Sequence, residues 1–543
     1  MNDKIMKQIQ RALKSKDFNK AASVIDALIA RDSVFNHDQY LVISNIYLNV
    51  GRTKDSLKAI ESARTLQPNS IGAAKQAFWA LYADDGLEEA AKVLEILRAE
   101  DCDDQSSEDI YNRWELILAE KRGDHRFVVK QIDDGVISLD LDAHRGYDIV
   151  TVYIKALCDE FRVDDALTLL STFPDSTVKA SQALSFALAK TLEIKGSVDA
   201  CLDAYEYLVD RFQSYEAQWN KTLVLLSYGR LAEGWAAHEE RWKWKDYPST
   251  HWVFHRPNWC GEDLTGKTIL VVNEQGLGDE IMFLSKLPLV DCFNPSRVMI
   301  QVTEKIVPLV ADWYPQHLVV AAPKDSDLSS VDAYKDVDYC IAMGSLSFIQ
   351  IKTGKQFEQS FLNARCGKLD RPSIKLISTG MEKDAKICVG ISWRSSNFYG
   401  KRSSLYLNHL ALENIIKSAP PQVKFICLQY GLAEEEKLFL ESHPEIFLPP
   451  EDLFEDVDMC ANYVDACDIV ICPPTIIRQL AGITQTPCIT WGTDPQWSHL
   501  GQEHYPWFPN IKLIKCQRNH DTGTLVDRLK SMINRLPSMF NVS

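Results

Sequence analysis

Apolar residues in the first 245 positions form blocks of helical length, separated by turn-forming or polar residues. The turn positions recur with gaps of 34, 35, 37, 38, 35 and 33 residues, and a small residue follows most of them after five positions. Periods of this length are typical of arrays in which each unit is a helical hairpin. The turn positions are Asp17, Gly51, Gly86, Gly123, Phe161, Gly196 and Gly229, and the small residues are Ala22, Ser56, Ala91, Ala166, Cys201 and Gly234.

One unit shows the pattern in full, in the segment YLVISNIYLNVGRTKDSLKAIESARTLQPNS. Tyr47 stands four residues before Gly51, and Ser56, Ala63 and Pro68 follow that glycine at fixed intervals. Small side chains let two antiparallel helices approach each other, and a proline ends the second helix. The segment resembles a tetratricopeptide repeat. We therefore predict about seven hairpins stacked as a right-handed solenoid over residues 1–245.

Repeat arrays of this kind present a concave surface to which a peptide or another protein usually binds. We expect a protein partner or substrate at this surface. Two alternatives are that the array only supports the region that follows it, or that it mediates self-association. The sequence identifies neither the residues of the concave surface nor an oligomeric state.

The second half of the chain has a different pattern, in which short apolar segments alternate with helical ones. Strand–helix alternation produces parallel sheets, and ligands of such sheets bind at the carboxyl ends of the strands. We predict two Rossmann-like lobes that face a cleft. The strand segments are TILVVNE, VMIQVT, LVVAA and DYCIAM in the first series, and ICVGISW, VKFICLQYG, DIVICPP, CITWG and IKLIKC in the second.

These patterns divide the chain into four parts. Residues 1–245 are the repeats, and residues 246–265, rich in tryptophan and proline, are a packed junction. Residues 266–380 form an N-terminal lobe, and residues 381–543 form a C-terminal lobe.

Composition excludes several classes of function. A formal net charge of -16 over 543 residues argues against a general nucleic-acid-binding protein, which needs clustered Lys and Arg. The first twenty residues lack the apolar region of a secretory signal, and no apolar run approaches the roughly 18 residues that span a bilayer. Fourteen cysteines are scattered without a C-x-x-C pair, as expected for reduced thiols in a cytoplasmic protein.

The segment QGLGD, which follows the first strand, is the strongest candidate for a functional loop. Gly276 and Gly278 suggest a dinucleotide-binding fingerprint, but Ile281 stands at the position of its third glycine. A phosphate-binding loop of the Walker type is excluded as well, because no G-K-[ST] follows. The loop delivers an acid, Asp279, to the start of a helix at the mouth of a sheet. We expect the two glycines to make the sharp turn.

The segment GKTILVVNEQGLGDEIMFLSKLPLV resembles the opening of the ADP-heptose:lipopolysaccharide heptosyltransferase family, which has the GT-B fold. The order of motifs is closer still to bacterial tetratricopeptide-repeat proteins with such a module, and the layout is similar to that of protein O-GlcNAc transferase. The resemblance covers most of residues 215–520. Its motifs are Glu233-Gly234-Trp235, Trp242, Trp259, Glu274 to Asp279, Leu428-Gln429-Tyr430-Gly431, Leu480-Ala481-Gly482 and Pro506-Trp507-Phe508-Pro509.

The resemblance implies that Asp279 is the catalytic base of an inverting transferase, presented by Glu274, Gln275, Gly276 and Gly278. An inverting transferase needs a base near the acceptor hydroxyl and a cradle for the leaving diphosphate. The alternative is that Asp279 is a plain N-cap. A helix N-terminus also stabilises a carboxylate, which weighs against strong basicity.

The predicted cradle for the donor diphosphate lies in the C-terminal lobe. Arg394, Lys401 and Arg402 follow a strand, although these cations could also lie on the surface without a ligand. Thr475 opens a helix whose first amides suit an anion. The resemblance adds donor-binding positions at Gln429, Arg478 and Gln479.

Two positions depart from the family pattern. Pro474 precedes Thr475 where the family usually has aspartate, and Gln479 stands where it usually has histidine. Glutamine donates a hydrogen bond but carries no charge, so the nucleotide and even the activity are open. No metal is expected, because the family generally needs none and the strings Asp325-x-Asp327 and Asp336-x-Asp338 are common in an acidic chain.

The sequence therefore predicts a glycosyltransferase without a cofactor, which moves a sugar from a nucleotide-sugar to a protein held by the repeats. Flagellin or another bacterial surface protein would suit as acceptor. Two alternatives stay open. One is an inactive transferase-like module on a repeat scaffold, and the other is a transferase that acts on a glycan or a lipid-linked acceptor.

Overall fold

The computed structural model describes residues 18–31, 33–100, 105–139, 147–254, 256–362, 387–395, 406–443, 445–493, 495–516 and 522–540. The chain forms two compact units, Met1–Lys195 and Gly196–Ser543. In the described part of the first unit, all regular elements are helices. Its helices are Phe18–Ile29 (α1), His37–Asn49 (α2), Thr53–Leu66 (α3), Ile71–Ala83 (α4), Leu87–Glu100 (α5), Gln105–Arg122 (α6), His125–Asp133 (α7), Tyr147–Asp159 (α8), Val163–Ser171 (α9), Asp175–Ala180 (α10) and Gln182–Lys195 (α11).

The predicted turns between paired helices are confirmed at six positions, while Asp17 lies outside the described residues. Glycine is favoured at such turns because a left-handed residue lets one helix end and the next begin. Gly51 has a φ of 77°, and even Phe161, the non-glycine member of the series, has a φ of 62°. At Gly86 the left-handed residue is instead the preceding Asp85, with a φ of 59°. The other three, Gly123, Gly196 and Gly229, also have positive φ angles.

An arginine directly after a hairpin turn links neighbouring helices in the first unit. Arg52, the N-cap residue of α3, lies 2.7 Å from Asp26 of α1 and 2.8 Å from Asp55 of α3. The hydroxyl of Tyr47 donates to Asp26 at 2.8 Å. Arg162 has the same arrangement, in which it pairs with Asp133 and Asp165. These pairs are half-exposed, so they connect repeats at the surface rather than in the core.

The second unit opens with four helical segments before its first strand. They are Val198–Phe212 (α12), Tyr215–Ser227 (α13), Leu231–His238 (α14) and the 3-10 helix Glu239–Lys243. Trp235 and Leu226 are buried in the same hydrophobic core as the first strands of the sheet that follows. Gly501, at a φ of 68°, lies against the turn at Gly229, where an added Cβ would stand 2.7 Å from the Gly229 nitrogen. The last helical pair is therefore part of the α/β unit.

The N-terminal lobe is built on a four-stranded parallel sheet in its described residues, with strand order β3-β2-β1-β4. The strand β1 is TILVV, four of whose five residues are buried, as expected for a central strand covered on both faces. In register, Leu270 faces Met299 on one side and Cys340 on the other. The elements are Thr268–Val272 (β1), Leu277–Leu284 (α15), Pro288–Asp291 (α16), Arg297–Val302 (β2), Val307–Trp313 (α17), Leu318–Ala321 (β3), Tyr339–Ala342 (β4) and Leu346–Thr353 (α18), with 3-10 helices at Glu304–Ile306, Leu328–Ser330, Asp332–Tyr334 and Met343–Ser345.

The C-terminal lobe has six described strands, all parallel, in the order β10-β9-β8-β5-β6-β7. The two-residue strand β7 was not predicted. Both sheets reverse their strand order beside their first strand, as a doubly wound fold does. The elements are Ile387–Ile391 (β5), His409–Lys417 (α19), Val423–Cys427 (β6), Glu434–Glu441 (α20), Ile446–Phe447 (β7), Val457–Ala466 (α21), Ile469–Cys472 (β8), Ile476–Ile483 (α22), Cys488–Thr493 (β9), Ile511–Cys516 (β10), Thr522–Asn534 (α23) and Leu536–Met539 (α24), with a 3-10 helix at Trp497–His499.

Two sequence motifs meet in the core between the lobes. A Cβ added at Gly482 would lie 2.3 Å from the ring of Phe508, so the glycine of the LAG motif makes room for the aromatic of the PWFP motif. The neighbouring Trp507 contacts Trp235 and Phe283 edge-on, with ring centroids 6.1 and 5.9 Å apart. The fold class is as predicted: helical repeats followed by two Rossmann-type lobes. The predicted boundaries at 245, 265 and 380 stay predictions.

Candidate active site

A cleft of about 350 Å³ lies between the two lobes at the carboxyl ends of their strands. The loops that follow β1 and β8 contribute to it, and both strands stand where a sheet reverses its order. Ligands of doubly wound folds bind at this point. Residues from both lobes line the cleft. They include Gly276, Gly278, Asp279, Met282, Lys305, Tyr430, Phe454, Thr475, Arg478, Gln479, Gln496 and Ser498.

The loop QGLGD turns at Gln275 and not at the glycines to which the sequence had led us to assign the turn. Gln275 adopts a φ of 64°, whereas Gly276 is extended, with a φ of -99° and a ψ of 168°. Gly278 lies inside α15. The prediction that the two glycines make the sharp turn is therefore wrong. A Cβ at Gly278 would lie 3.8 Å from Ile476 Cα, so the N-terminal loop packs closely on the start of α22 in the other lobe.

Asp279 occupies the first turn of α15, is partly exposed and lines the cleft. The N-cap is Gly276, whose carbonyl accepts hydrogen bonds from the Asp279 and Glu280 amides, both at 2.9 Å. The alternative that Asp279 is itself the N-cap is therefore wrong. Its role as a base stays a prediction.

The adjacent acid, Glu280, has a different environment. It is fully buried and accepts hydrogen bonds from the Thr303 hydroxyl at 2.5 Å and the Thr303 amide at 3.0 Å. Burial raises the pKa of Glu280, and the Thr303 bonds oppose that shift. Glu280 thus ties α15 to the end of β2, while Asp279 faces the cleft.

Glu274 and Gln275 do not line the cleft. Glu274 is buried and accepts hydrogen bonds from Arg241 at 2.8 and 3.1 Å. The Gln275 amide donates to the Ser249 hydroxyl at 3.0 Å, and its side chain donates to the Tyr247 hydroxyl at 2.6 Å. Both residues hold the loop to the segment that follows the last repeat helix.

The opposite wall of the cleft is the start of α22. Thr475 is the N-cap residue, and its buried hydroxyl has no hydrogen-bond partner within the described part of the chain. Arg478 is 6% exposed, and its Nε and Nη1 atoms are likewise without partners among the described residues. Its guanidinium stacks 4.3 Å above the ring of Tyr505. This wall therefore presents a cation and the positive end of a helix to the cleft.

Gln479 stands deeper in the cleft. Its Nε2 atom lies 2.9 Å from the Tyr505 hydroxyl, which also lies 3.4 Å from the sulfur of Met282 in the other lobe. Burial raises the pKa of Tyr505, and the nearby Arg478 opposes the shift. The glutamine thus fixes an inter-lobe contact at a position where the resembling family usually has histidine.

Arg394 and Gln429 lie elsewhere than predicted. Arg394 is 4% exposed and pairs with Glu436, to which its Nε donates at 2.6 Å, so its guanidinium faces the lobe interior. Gln429 accepts bonds from the amides of Trp393 and Arg394, both at 3.0 Å, and so shapes the end of β5. Neither residue lines the cleft. Lys401 and Arg402 lie outside the described residues.

Several cleft residues were missed by sequence reasoning. Lys305 of the N-terminal lobe lies 2.9 Å from Glu455 and 4.3 Å above the ring of Phe454 in the C-terminal lobe. Phe454 stacks on Tyr430 with centroids 6.1 Å apart. Tyr430 belongs to the LQYG motif, which was recognised but represented only by Gln429. Lys305 had no local signal beyond its place after a strand.

The two D-x-D strings contain aspartates whose side chains accept hydrogen bonds from backbone amides. Asp327 accepts from the Ser329 amide at 2.9 Å, and Asp338 accepts from the Thr268 amide at 2.9 Å. No group of three metal-binding side chains occurs among the described residues. Independence from metal stays a prediction. In the same part of the chain, no helix is long and apolar enough to cross a membrane.

The chain is similar to proteins with known sequences or structures. Protein FlbA of Caulobacter vibrioides is 28% identical over 369 residues, which are 65% of this chain and 60% of that relative. The match with this chain thus spans less than two thirds of the length of FlbA. No family model matches.

Solved structures with similar regions include three transferases. A glycosyl transferase family 9 protein from Veillonella parvula is 12% identical, covers 50% of this chain and 91% of its own, and has a TM-score of 0.37. Heptosyltransferase WaaC of E. coli is 12% identical, covers 50% of this chain and 99% of its own, and has a TM-score of 0.33. O-GlcNAc transferase of Thermobaculum terrenum is 12% identical, covers 92% of both chains and has a TM-score of 0.27.

Proposed function

We propose that the protein is an inverting glycosyltransferase that uses a nucleotide-sugar donor and a protein acceptor. One observation carries the proposal: the same cleft is lined by the partly exposed Asp279 and by Thr475 and Arg478, whose buried polar atoms have no partner among the described residues. A buried cation without a partner is costly unless a ligand or solvent compensates it. An anionic ligand on this wall would do so.

The chemistry follows from the two walls. The acceptor hydroxyl attacks the anomeric carbon, forms the new C–O bond and gives its proton to the carboxylate of Asp279. The bond between that carbon and the diphosphate oxygen breaks at the same time. Negative charge then develops on the diphosphate, beside Arg478 and the first amides of α22, which stabilise it.

The remaining cleft surfaces suit the rest of the donor. The stacked rings of Tyr430 and Phe454 form an apolar wall on which a nucleoside base would lie. Gln496 and Ser498 carry buried side-chain oxygens without partners among the described residues. Such oxygens suit the hydroxyl groups of a sugar. We assign the base to the aromatic wall and the sugar to the polar side.

The acceptor is assigned to the repeats, as the sequence led us to expect, and a bacterial surface protein such as flagellin remains our candidate. A cytoplasmic location also stays a prediction. The alternative of an inactive scaffold predicts that no nucleotide-sugar binds in the cleft, since a scaffold needs no donor.

Replacing Arg478 by Gln tests the donor site. The wild-type protein is screened by thermal shift against UDP-, GDP-, ADP- and CMP-sugars, since a ligand of the native state raises the melting temperature. Calorimetry then measures the affinity of the donor that binds. We expect Arg478→Gln to weaken it about tenfold or more, because a hydrogen bond to a charged group is worth roughly 1.5–3 kcal/mol.

The control is Lys512→Gln, which removes a cation from an exposed position on β10. It should leave donor affinity unchanged. Equal donor affinity in wild type and Arg478→Gln would remove this residue from the donor site and leave the cleft without its assigned cation.

A further inference from the structure

The segment Glu239–Trp252, here called the anchor segment, binds the loop before Asp279 at several successive residues. The indole nitrogen of Trp252 donates to the carbonyl of Asn273 at 2.9 Å. Arg241 pairs with Glu274, while Tyr247 and Ser249 bind Gln275. Three consecutive loop residues are therefore held by side chains that begin directly after the last repeat helix.

Arg241 is the centre of this attachment. Its side chain and that of Glu274 are both 0% exposed. Beyond Glu274, the guanidinium donates to the His238 carbonyl, to Glu239 at 3.1 Å and to the Ser345 hydroxyl at 2.9 Å. It thereby joins the end of the repeat helix, the loop after β1 and the turn after β4. A buried guanidinium with this many fixed partners has little freedom to move.

The space around Glu274 is equally restricted. A Cβ added at Gly344 would lie 1.7 Å from Glu274 Oε1, so only glycine leaves room for the carboxylate. The adjacent Gln275 holds a left-handed backbone, which is unfavourable for a residue other than glycine and persists only where its surroundings impose it. Its two bonds to the anchor segment supply that constraint.

We propose that Arg241, with Tyr247 and Ser249, is a positioning residue for the transferase site: the anchor segment fixes residues 273–275, and through them the direction in which Asp279 enters the cleft. Gln275 and Asp279 are separated only by Gly276, Leu277 and Gly278. A displacement of about 1 Å at a reacting group can lower a rate about a hundredfold. The inference rests on the proposed function for its effect on turnover, but not for its effect on the loop.

The test compares variants that remove one contact each in the full-length protein. Tyr247→Phe and Ser249→Ala each delete one hydrogen bond to Gln275 and leave no buried charge. Arg241→Lys keeps the charge but loses the planar guanidinium that reaches four partners. Tyr463→Phe is the matched control, because Tyr463 is a buried tyrosine of the C-terminal lobe whose hydroxyl donates to Glu451 at 2.8 Å.

Hydrogen exchange of residues 273–280 reports the loop without any substrate. We expect exchange about three- to tenfold faster in Tyr247→Phe and Ser249→Ala, faster still in Arg241→Lys, and unchanged in Tyr463→Phe. With donor and acceptor, kcat should fall about tenfold or more in the three anchor variants. The Kd of the donor should stay within about twofold, because its anionic part binds the other lobe.

Unchanged exchange over residues 273–280 in all three anchor variants would overturn the inference. A fall of kcat, donor affinity and melting temperature together in Tyr247→Phe would also overturn it, since that pattern marks a purely structural residue. If the wild-type protein transfers no sugar, the proposed function fails, and the exchange rates still decide whether the anchor segment positions the loop.

Discussion

Two arginines that follow a helical hairpin show how differently the same contact is used in the two units. Arg52 of the repeats pairs with Asp26 and Asp55 with side chains that are 40%, 45% and 33% exposed. Arg241 pairs with Glu274 with both side chains 0% exposed. Exposed pairs of this kind contribute about 0–1 kcal/mol, whereas removing one member of a buried pair costs about 3–5 kcal/mol.

The difference in burial between the two ion pairs matches the different geometric requirements of the two regions. Each repeat contacts its neighbours, so many weak surface pairs are enough to connect successive hairpins. The loop before Asp279 needs one fixed geometry, and a buried ion pair with few alternatives provides it. Burial makes the pair expensive to break and gives it no large advantage over apolar packing. We therefore interpret Arg241–Glu274 as a determinant of position more than of stability.

The largest effect on stability is expected from Glu274→Gln. The change leaves the Arg241 guanidinium buried with Glu239, at 3.1 Å, as its one acidic partner in the described part of the chain. The free energy of unfolding of the second unit should fall by about 3 kcal/mol, the lower end of the range for a broken buried pair, because Glu239 remains. Apart from Trp79 and Trp114, all tryptophans lie after Gly196, so urea unfolding followed by tryptophan fluorescence reports this unit.

A double variant sharpens the interpretation. In Arg241→Met with Glu274→Met, neither charge is left alone, and most of the lost stability should return. Transfer activity should not return, because the methionine side chains cannot hold the loop. Recovery of both would show that any well-packed pair suffices at this place.

A smaller effect is expected from pH at His238, next to the same pair. His238 is 1% exposed, lies among Trp219, Trp235 and Phe283, and has its pKa lowered to about 4, first by burial and then by the charge of Arg241, with Glu239 acting in the opposite sense. Because the folded state disfavours the proton, the contribution of His238 is complete above pH 6.5 and is lost as pH falls towards 4.

The effect of His238 amounts to about 2–3 kcal/mol over that window. In His238→Gln the titrating group is gone, so the fall in unfolding free energy between pH 7 and pH 4.5 should be smaller than in the wild type. Urea unfolding followed by tryptophan fluorescence at the two pH values measures it. Identical slopes in both proteins would show that His238 is protonated as readily in the folded chain as in the unfolded one.

The smallest effect is expected from Arg52→Ala in the repeats. The free energy of unfolding of the first unit should fall by about 1 kcal/mol or less, because the pairs with Asp26 and Asp55 are half-exposed. Salt screens such pairs, so the difference from wild type should shrink between 20 mM and 500 mM NaCl, as followed by circular dichroism on heating. A loss as large as that of Glu274→Gln would contradict the comparison.

The repeat region was predictable in detail because its signals are local. A glycine five residues before a small residue specifies a hairpin turn within one unit, and the turn at Gly51 appears where the spacing places it. The strands were predictable for the same reason, since β1 is a short buried run of β-branched and leucine residues. The brief strand β7 is too short to leave a pattern.

The site was only partly predictable, because its contacts join residues that are distant in sequence. Asp279 and Gln479 were selected through motif resemblance and Thr475 for its place at a helix start, and the structure brings all three to one cleft. Arg394 was selected for its place after a strand, but Glu436, 42 residues later, occupies its guanidinium. The sequence around Arg394 contains no pattern that predicts this pairing.

The contacts of the anchor segment were also not predictable from the sequence. Trp242 was recognised as a motif residue and Trp252 belongs to the predicted junction, yet the contacts of this segment with the loop before Asp279 were not predicted. Arg241 and Glu274 lie 33 residues apart, and only the fold brings them together. Likewise, the left-handed backbone at Gln275 could not be expected, since the adjacent glycine is the usual site for it.

The most direct test of the account is the turnover of Asp279→Asn. Asparagine keeps the shape and the helix position, since Gly276 supplies the cap, but it cannot accept the proton of the acceptor hydroxyl. We predict an unchanged melting temperature, donor affinity within about twofold, and transfer lowered by roughly 10²–10⁴-fold, the usual size of general-base catalysis. Transfer at the wild-type rate by Asp279→Asn would contradict the assignment of Asp279 as the base and leave QGLGD as a turn without a catalytic role.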